Sequence, residues 1–136
     1  MTRPMVMLLA ACCLWTKSAQ AGIGELPTPA GPASLAPNLH VAADGRVLLS
    51  WIERAGEGRH ALRFAVLEDG GWSAPQMIAE GPGWFVNWAD FPSLVALDDG
   101  SLAAHWLVKS GSGTYAYDVQ IARSSERAAH MVNQLL

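Results

Sequence analysis

The chain has 136 residues, which is room for one modest domain. A hydrophobic fraction of 51% and a charged fraction of 15% are typical of a globular chain and exclude a disordered one. The net charge of −3 provides no basic surface for nucleic acid, and thirteen glycines with eight prolines favour short strands and turns over long helices.

Residues 1–21 have the layout of an export signal. Arg3 supplies a basic start, Met5–Trp15 is an apolar run too short to span a bilayer, and Ala19–Ala21 is an A-x-A cleavage site. Cleavage would leave Gly22 as the new N-terminus. We therefore predict a signal peptide over 1–21 and a secreted or periplasmic protein without a membrane span.

Two alternatives for this segment stay open. It could be a buried N-terminal helix, or Leu9–Cys12 could act as a lipobox that places a lipid on Cys12 and yields a lipid-anchored lipoprotein. Cys12 and Cys13 both lie in the segment, so cleavage after residue 21 would leave the mature chain without a cysteine and without a disulfide.

A repeat of 55 residues organises the rest of the chain. It relates Pro37 to Pro92, Leu39 to Leu94, Gly45 to Gly100 and Trp51 to Trp106. We divide the chain into a Pro/Gly-rich linker (22–36), a first unit (37–83), an inter-unit loop (84–91), a partial second unit (92–125) and an irregular tail (126–136). A period near fifty residues is typical of solenoids, propellers and arrays.

The first unit reads as four antiparallel strands. Strands are predicted at Leu39–Val41, Val47–Ile52 and Leu62–Val66, where apolar runs or a period of two are bounded by turn residues. A ragged fourth strand over Trp72–Ile78 contains Pro75, which places it at an edge.

The second unit repeats the first three strands. Leu94–Ala96 and Leu102–Val108 match their counterparts, and alternate residues from Tyr115 to Ile121 have the pattern of a half-buried strand. No fourth strand is predicted, and Glu126–Leu136 has only a weak helical pattern. We expect Trp51 and Trp106 in the core because they recur at the repeat period.

Four-stranded units of this length are typical of β-propeller blades. Glu68–Trp72 lies at the turn between the third and fourth strands and has the Asp, Gly and Trp of a degenerate Asp-box. In these features the chain resembles the N-terminal part of the bacterial sialidase-like (exo-α-sialidase, BNR-repeat) propellers. The resemblance, over roughly residues 36–125, implies an all-β fold of two four-stranded antiparallel blades of an incomplete propeller.

The resemblance also implies a glycosidase chemistry that the chain does not complete. The family binds a sugar carboxylate through three arginines and uses a tyrosine–glutamate pair with an aspartic acid. Leu35–Pro37 and Phe91–Pro92 stand where the first arginine is expected, and neither contains one. The catalytic residues are thus unknown, and we expect this chain alone to be inactive.

The inter-unit loop holds the candidate substrate-binding residues Trp84, Asn87, Trp88 and Asp90. Aromatic faces stack on sugar CH groups, and an amide and a carboxylate bond hydroxyls. Propeller geometry would place the loop near Arg54–His60 and Lys109–Thr114. In the alternative interpretation, both tryptophans fill the seam between the units and Asp90 caps a turn.

Three functions therefore remain open: an exported fragment of a sialidase-like glycosidase, a non-catalytic module that binds carbohydrate or protein, and a truncated product without a function. The expected ligand is a glycan. We expect that the isolated chain is not a stable monomer, and that it aggregates, oligomerises to close a ring or is degraded. No cofactor is indicated, since the chain lacks a Gly-rich phosphate loop and metal-ligand spacing among His40, His60 and His105.

Overall fold

A computed structural model describes residues 22–124 and 131–132 of the chain, and these residues are all-β. They form nine strands: β1 (Leu35–Val41), β2 (Val47–Gly56), β3 (Arg59–Glu68), β4 (Gly71–Trp72), β5 (Gln76–Pro82), β6 (Ser93–Ala96), β7 (Leu102–Lys109), β8 (Tyr117–Ser124) and β9 (Met131–Val132). No helix in this part of the chain is long and apolar enough to cross a membrane. The predicted signal peptide lies outside the described residues.

The first five strands make the N-terminal sheet. β1, β2 and β3 pair in antiparallel order, and the far side of β3 pairs with the short β4 and then with β5, which lies at the edge. The predicted strand over Trp72–Ile78 is wrong in detail, because residues 73–75 separate β4 from β5. Pro75 has no N–H to donate, and Ser73 instead bonds back to Val66.

The last four strands make the C-terminal sheet, in the order β6-β7-β8-β9. The prediction that the second unit has no fourth strand is wrong, since β9 pairs with Arg123 and Ser124 at the end of β8. The same two-residue strand lies within the segment 126–136 that was predicted as an irregular tail. The remainder of that segment lies outside the described residues.

Both sheets begin with the same turn. The N–H of Gly45 donates to the carbonyl of Ala42 at 2.9 Å, and the N–H of Gly100 donates to that of Leu97 at 2.9 Å. The two glycines have φ of 85° and 82°. A left-handed glycine after a tight turn lets the chain reverse with the twist that an antiparallel pair needs, so the Asp-Gly signal predicted both turns correctly.

The two sheets stack face to face, and corresponding strands lie side by side, β1 by β6 and β5 by β9. One continuous core fills the space between them. Its largest members come from both sheets: Leu48, Ile52, Leu62, Phe64, Ile78, Trp84, Leu94, Leu102 and Trp106. We call the faces that meet here the inner faces and the opposite ones the outer faces.

Residues related by the repeat have opposite burial in places. Leu94 on the inner face of the C-terminal sheet is 1% exposed, whereas Leu39 on the outer face of the N-terminal sheet is 64% exposed. The two sheets therefore stack with the same orientation and not as mirror images. As a result, the inner face of the C-terminal sheet corresponds by the repeat to the outer face of the N-terminal sheet.

The same stacking exposes the strand β8. Val119 and Ile121 lie about half exposed on the outer face, although the alternation of their sequence predicts a buried stripe. Their partners across the strand pairing, Leu107 and His105, correspond by the repeat to Ile52 and Ser50 of β2. No described residue provides the further sheet that would cover β8.

The lead-in to the N-terminal sheet has two parts. Residues 22–28 are exposed, as the linker prediction requires. Beyond them, the N–H of Gly31 donates to Glu53 on the outer face of the sheet, and Ala30, Gly31 and Ser34 line a cavity together with Trp51, which is 1% exposed. Residues 31–33 are themselves exposed, whereas Ala36 belongs to the core. The second part of the linker therefore belongs to the fold.

Candidate functional site

The inter-unit loop is attached to the C-terminal sheet by backbone hydrogen bonds. The N–H of Lys109 donates to the carbonyl of Gly83 at 2.8 Å, and the N–H of Phe85 donates to that of Leu107 at 2.9 Å. Trp84 forms a bridge with Val108 between them. Residues 83–85 thus continue along β7 beyond the point where β6 leaves off, and the loop leaves the sheet only after Phe85.

Trp84 fills the seam between the sheets. Only 6% of its surface is exposed, and its ring lies 5.7 Å from Trp106 and 6.4 Å from His60. A Cβ on Gly81 would lie 3.2 Å from the indole nitrogen, so this ring approaches the backbone of β5 closely. The structure therefore places Trp84 in the core, with no open ring face for a ligand.

His60 beside Trp84 is partly buried. Burial and the positive charge of Arg54 both lower the pKa of His60 below its ordinary value. The neutral ring suits a position against an indole. Of the neighbours expected for the loop, Trp84 packs on His60, and Gly83 just before it bonds Lys109.

Asn87 and Asp90 brace the exposed part of the loop. The Oδ1 atom of Asn87 accepts hydrogen bonds from the N–H groups of Ala89 at 2.7 Å and Asp90 at 2.6 Å. The Nδ2 atom of Asn87 donates to Oδ2 of Asp90 at 2.6 Å. An asparagine that bonds its own backbone in this way holds a turn in one conformation. Asn87 therefore caps the turn, a role that the alternative interpretation gave to Asp90, whose carboxylate only accepts from Asn87.

Trp88 stands on this braced turn with 88% of its surface exposed. It therefore does not fill the seam, and the packing interpretation is wrong for this residue. Nearby in sequence, Phe91 is about half exposed. The four predicted site residues thus separate into one buried ring, two bracing side chains and one free ring.

A second aromatic contact at this end of the sheet has no signal in the sequence pattern. Phe85 from the loop stacks on Tyr117, the first residue of β8, with ring centroids 4.5 Å apart. Tyr115, two residues earlier, is an exposed loop residue and not part of the strand that was predicted for it. No spacing rule links Phe85 to Tyr117, since the loop and β8 meet only through the folded sheet.

Four of the five arginines in the described residues pair with different carboxylates. Arg46 pairs with Asp44, Arg59 with Glu80, Arg63 with Glu53 and Arg123 with Asp99. The bond from Arg46 lowers the pKa of Asp44, and hydrogen bonds from Ser101, aided by the positive charge of Arg123, lower that of Asp99. Each of these four guanidinium groups is engaged by its own carboxylate, which is unlike a shared site for a sugar carboxylate.

A polar cluster on the outer face of the N-terminal sheet was also not predicted from the sequence. Oε1 of Glu53 accepts from the indole N–H of Trp51 at 2.7 Å and from the N–H of Gly31 at 3.2 Å, while Oε2 lies 2.7 Å from Nε of Arg63. Burial opposes ionisation of Glu53, but these three partners outweigh it and lower its pKa.

We call this cluster the Glu53 clasp, because it ties the lead-in to the sheet. A cavity of about 310 Å³ opens beside it between the lead-in and the sheet, and its lining includes Ser34, Leu49 and Trp51. Both carboxylate oxygens of Glu53 already have partners within the chain, which is typical of a structural role.

The histidines are not arranged as ligands. Nδ1 of His105 lies 2.9 Å from Oγ of Ser93 on the outer face of the C-terminal sheet, far along the chain from the His60–Trp84 contact. Among the residues that the structure describes, no group of three or more His, Cys, Asp or Glu side chains could hold a metal ion.

Comparison with family models, curated proteins and solved structures finds no match to this chain. The candidate site therefore rests on its own geometry: a single free indole on a turn that is held by hydrogen bonds.

Proposed function

We propose that the chain is a non-catalytic carbohydrate-binding module built from two propeller-like blades, with Trp88 as the surface on which a sugar ring stacks. The observation that carries the proposal is the 88% exposure of Trp88 on a turn that Asn87 holds through three hydrogen bonds. The sialidase-like resemblance of Glu68–Trp72 is compatible with this role.

The exposed indole of Trp88 offers a broad, flat apolar face to solvent. Sugars present CH groups that pack on an aromatic face, while hydroxyls at the rim bond amides and carboxylates. Because the turn is already ordered, binding requires little further loss of conformational entropy.

The arginine pairs support the non-catalytic form of the proposal. The glycosidase chemistry that the resemblance implies needs several guanidinium groups on one carboxylate. In residues 22–124, Arg59, Arg63 and Arg123 are each engaged by a different acidic side chain. We therefore propose binding without hydrolysis.

A module that binds glycans would act outside the cytoplasm, and residues 1–21 motivate the same proposal independently. We propose export with cleavage after Ala21, with a lipid on Cys12 as the alternative. N-terminal sequencing of the protein made in a bacterial host would find Gly22 first if the proposal is correct. An intact Met1, or incorporation of labelled palmitate at Cys12, would contradict cleavage after Ala21.

The test of binding compares two exposed aromatic residues. We expect Trp88→Ala to weaken binding to immobilised oligosaccharides by about tenfold or more, while the free energy of unfolding changes by less than about 1 kcal/mol. The matched control is Tyr115→Ala, which removes an exposed ring from a loop of the C-terminal sheet. Sialyllactose and cellohexaose on a biosensor surface would serve as an acidic and a neutral probe.

Two further variants separate stacking from bracing. Asn87→Ala removes all three hydrogen bonds of the turn, so we expect weaker binding with Trp88 still present. Asp90→Asn keeps an oxygen for Asn87 but removes the charge, and tests whether a carboxylate contributes. Equal binding by wild type and Trp88→Ala would refute the proposal, as would a loss of about 3 kcal/mol of stability in Trp88→Ala.

A further inference from the structure

The two outer faces of the molecule correspond to the two halves of its own inner interface. The outer face of the N-terminal sheet carries Leu39 where the buried inner face of the C-terminal sheet carries Leu94. Conversely, the outer face of the C-terminal sheet is equivalent to the buried inner face of the N-terminal sheet. Each exposed face therefore has its natural complement at the opposite end of the same chain.

The outer face of the C-terminal sheet is apolar at its centre. Val119 and Ile121 are about half exposed, and Val95 on β6 is also exposed. The strand register places Val119 opposite Leu107 and Ile121 opposite His105. The equivalent positions on the N-terminal sheet, Leu62 opposite Ile52 and Phe64 opposite Ser50, are fully buried by the neighbouring sheet.

The outer face of the N-terminal sheet is apolar beside the lead-in. Leu39 and Val41 on β1 and Met77 on β5 are all exposed. Leu39 pairs with Leu49 and Val41 with Val47, so these side chains form one patch on one face. A scattered exposed leucine needs no explanation, but two opposite apolar faces on one small molecule indicate interaction surfaces.

The lead-in covers only part of this face. Ala30, Gly31 and Ser34 line a cavity together with Leu49 and Trp51, so this part of the face lies beneath the lead-in. Leu39, Val41 and Met77 lie outside that cavity lining and remain exposed, so they are available to a second sheet.

We propose that copies of this chain associate head to tail, with the outer face of the C-terminal sheet of one copy on the outer face of the N-terminal sheet of the next. β6 of one copy would then lie beside β1 of the next, as β1 lies beside β6 within the chain. The contact joins two different faces, so it forms a ring if the rotation closes and a filament if it does not. This inference is independent of the carbohydrate proposal.

The experiment uses one charge on each face. Leu39→Asp alters the outer face of the N-terminal sheet and Ile121→Asp that of the C-terminal sheet. Sedimentation velocity of the purified chain is expected to show concentration-dependent species heavier than a monomer, and each variant alone is expected to stay monomeric. Ile23→Asp, in the exposed lead-in outside both faces, is the matched control and is expected to assemble like wild type.

Mixing the two variants tests the head-to-tail arrangement. One chain keeps an intact N-terminal face and the other an intact C-terminal face, so an equimolar mixture is expected to form a dimer and nothing larger. Assembly of either variant alone at wild-type strength would overturn the proposal, since it would mean that like faces pair or that another surface is used.

A wild-type chain that is monomeric at every concentration, or a mixture that forms no dimer, would also overturn it. A monomeric wild-type chain would indicate that a further sheet of a longer polypeptide, and not a second copy, covers these faces. Circular dichroism checks that each variant keeps its β-sheet spectrum. If Leu39→Asp or Ile121→Asp loses that spectrum, Val41→Asp or Val119→Asp replaces it, because these residues lie on the same two faces.

Discussion

The N-terminal and C-terminal sheets share a repeat but differ in what covers them. Gly45 and Gly100 make the same turn with nearly the same φ, and the strands on either side pair in the same order. Leu39 and Leu94 occupy equivalent positions, yet one is exposed and the other is buried. The comparison shows that the repeat determines strand geometry, whereas the position of each sheet in the stack determines burial.

The two repeated tryptophans, in contrast, are both buried although their neighbours differ. Trp51 and Trp106 are both buried, at 1% and 7% exposure, but by different neighbours. Trp106 packs on Trp84 in the seam, and Trp51 lies under the lead-in, where its indole N–H donates to Glu53. A large ring at an equivalent position is thus covered even where no second sheet follows.

The largest expected effect is the contrast between Leu94→Ala and Leu39→Ala. Leu94→Ala leaves a cavity between the sheets, so we expect a loss of about 2–5 kcal/mol in the free energy of unfolding. Leu39→Ala removes an exposed side chain and should change it by less than about 0.5 kcal/mol. Urea unfolding at low chain concentration, followed by tryptophan fluorescence, measures both.

Equal losses for these two variants would contradict the stacking described above. If Leu39→Ala becomes costly only as the chain concentration rises, the outer face of the N-terminal sheet is covered by another copy, and the two sheets differ less in the assembly than in the single chain.

A smaller effect is expected at the two turns. Gly45→Ala and Gly100→Ala should each destabilise the protein by about 1–2 kcal/mol, because an L side chain at these positive φ values is strained. The two losses should be similar, since the turns have the same hydrogen bonds. Thermal unfolding by calorimetry compares the two variants with wild type.

Gly70→Ala is the control for the turns. Gly70 lies in the β3–β4 turn without a positive φ, and a Cβ there would meet no atom within 4 Å. We expect a change of less than about 0.5 kcal/mol for it. If Gly45→Ala and Gly100→Ala lower the free energy of unfolding by clearly different amounts, the two turns are alike in geometry but not in their contribution to stability.

The smallest effect concerns the Glu53 clasp, which only the N-terminal sheet has, because Val108 stands at the equivalent position of the C-terminal sheet. The pKa of Glu53 in the folded protein lies below its usual 4.5, so the ionised form stabilises the fold. This stabilisation is present above pH 4.5 and is lost as the pH falls through the lower folded-state pKa.

Glu53→Gln should therefore unfold with a shallower dependence on pH than wild type in acid, with a difference of at most about 1 kcal/mol, as for partly exposed ion pairs. Urea midpoints at about pH 5 and about pH 3 give the comparison. Glu57→Gln, in the exposed β2–β3 turn, is the control and should follow wild type. The same slope in all three proteins would show that the clasp contributes nothing.

Much of the sheet structure could be predicted from local signals. Asp44-Gly45 and Asp99-Gly100 marked the turns, and the apolar run Val47–Ile52 marked a central strand, because turn chemistry and strand periodicity act over a few residues. Pro75 correctly indicated an edge, but the break it causes between β4 and β5 was missed. The two-residue β9 has too few residues to show a period.

The sequence predicted the segment that holds the candidate site, but not which of its residues are exposed. Trp84 and Trp88 are four positions apart in the same aromatic run, and no composition rule distinguishes the buried ring from the free one. The difference arises from contacts distant in sequence: Trp84 meets His60 and Trp106 across the seam, whereas Trp88 lies beyond the point at which the loop leaves β7.

By itself, the sequence determined the repeat, the two matching turns, the antiparallel order of the central strands and the burial of Trp51 and Trp106. Only the tertiary structure decided which copy of each repeated residue is covered, as Leu39 and Leu94 show. The physical reason is that backbone pairing depends on neighbours a few residues away, whereas burial depends on what stands about 10 Å across from a sheet face. The pattern along a single strand cannot identify that neighbour.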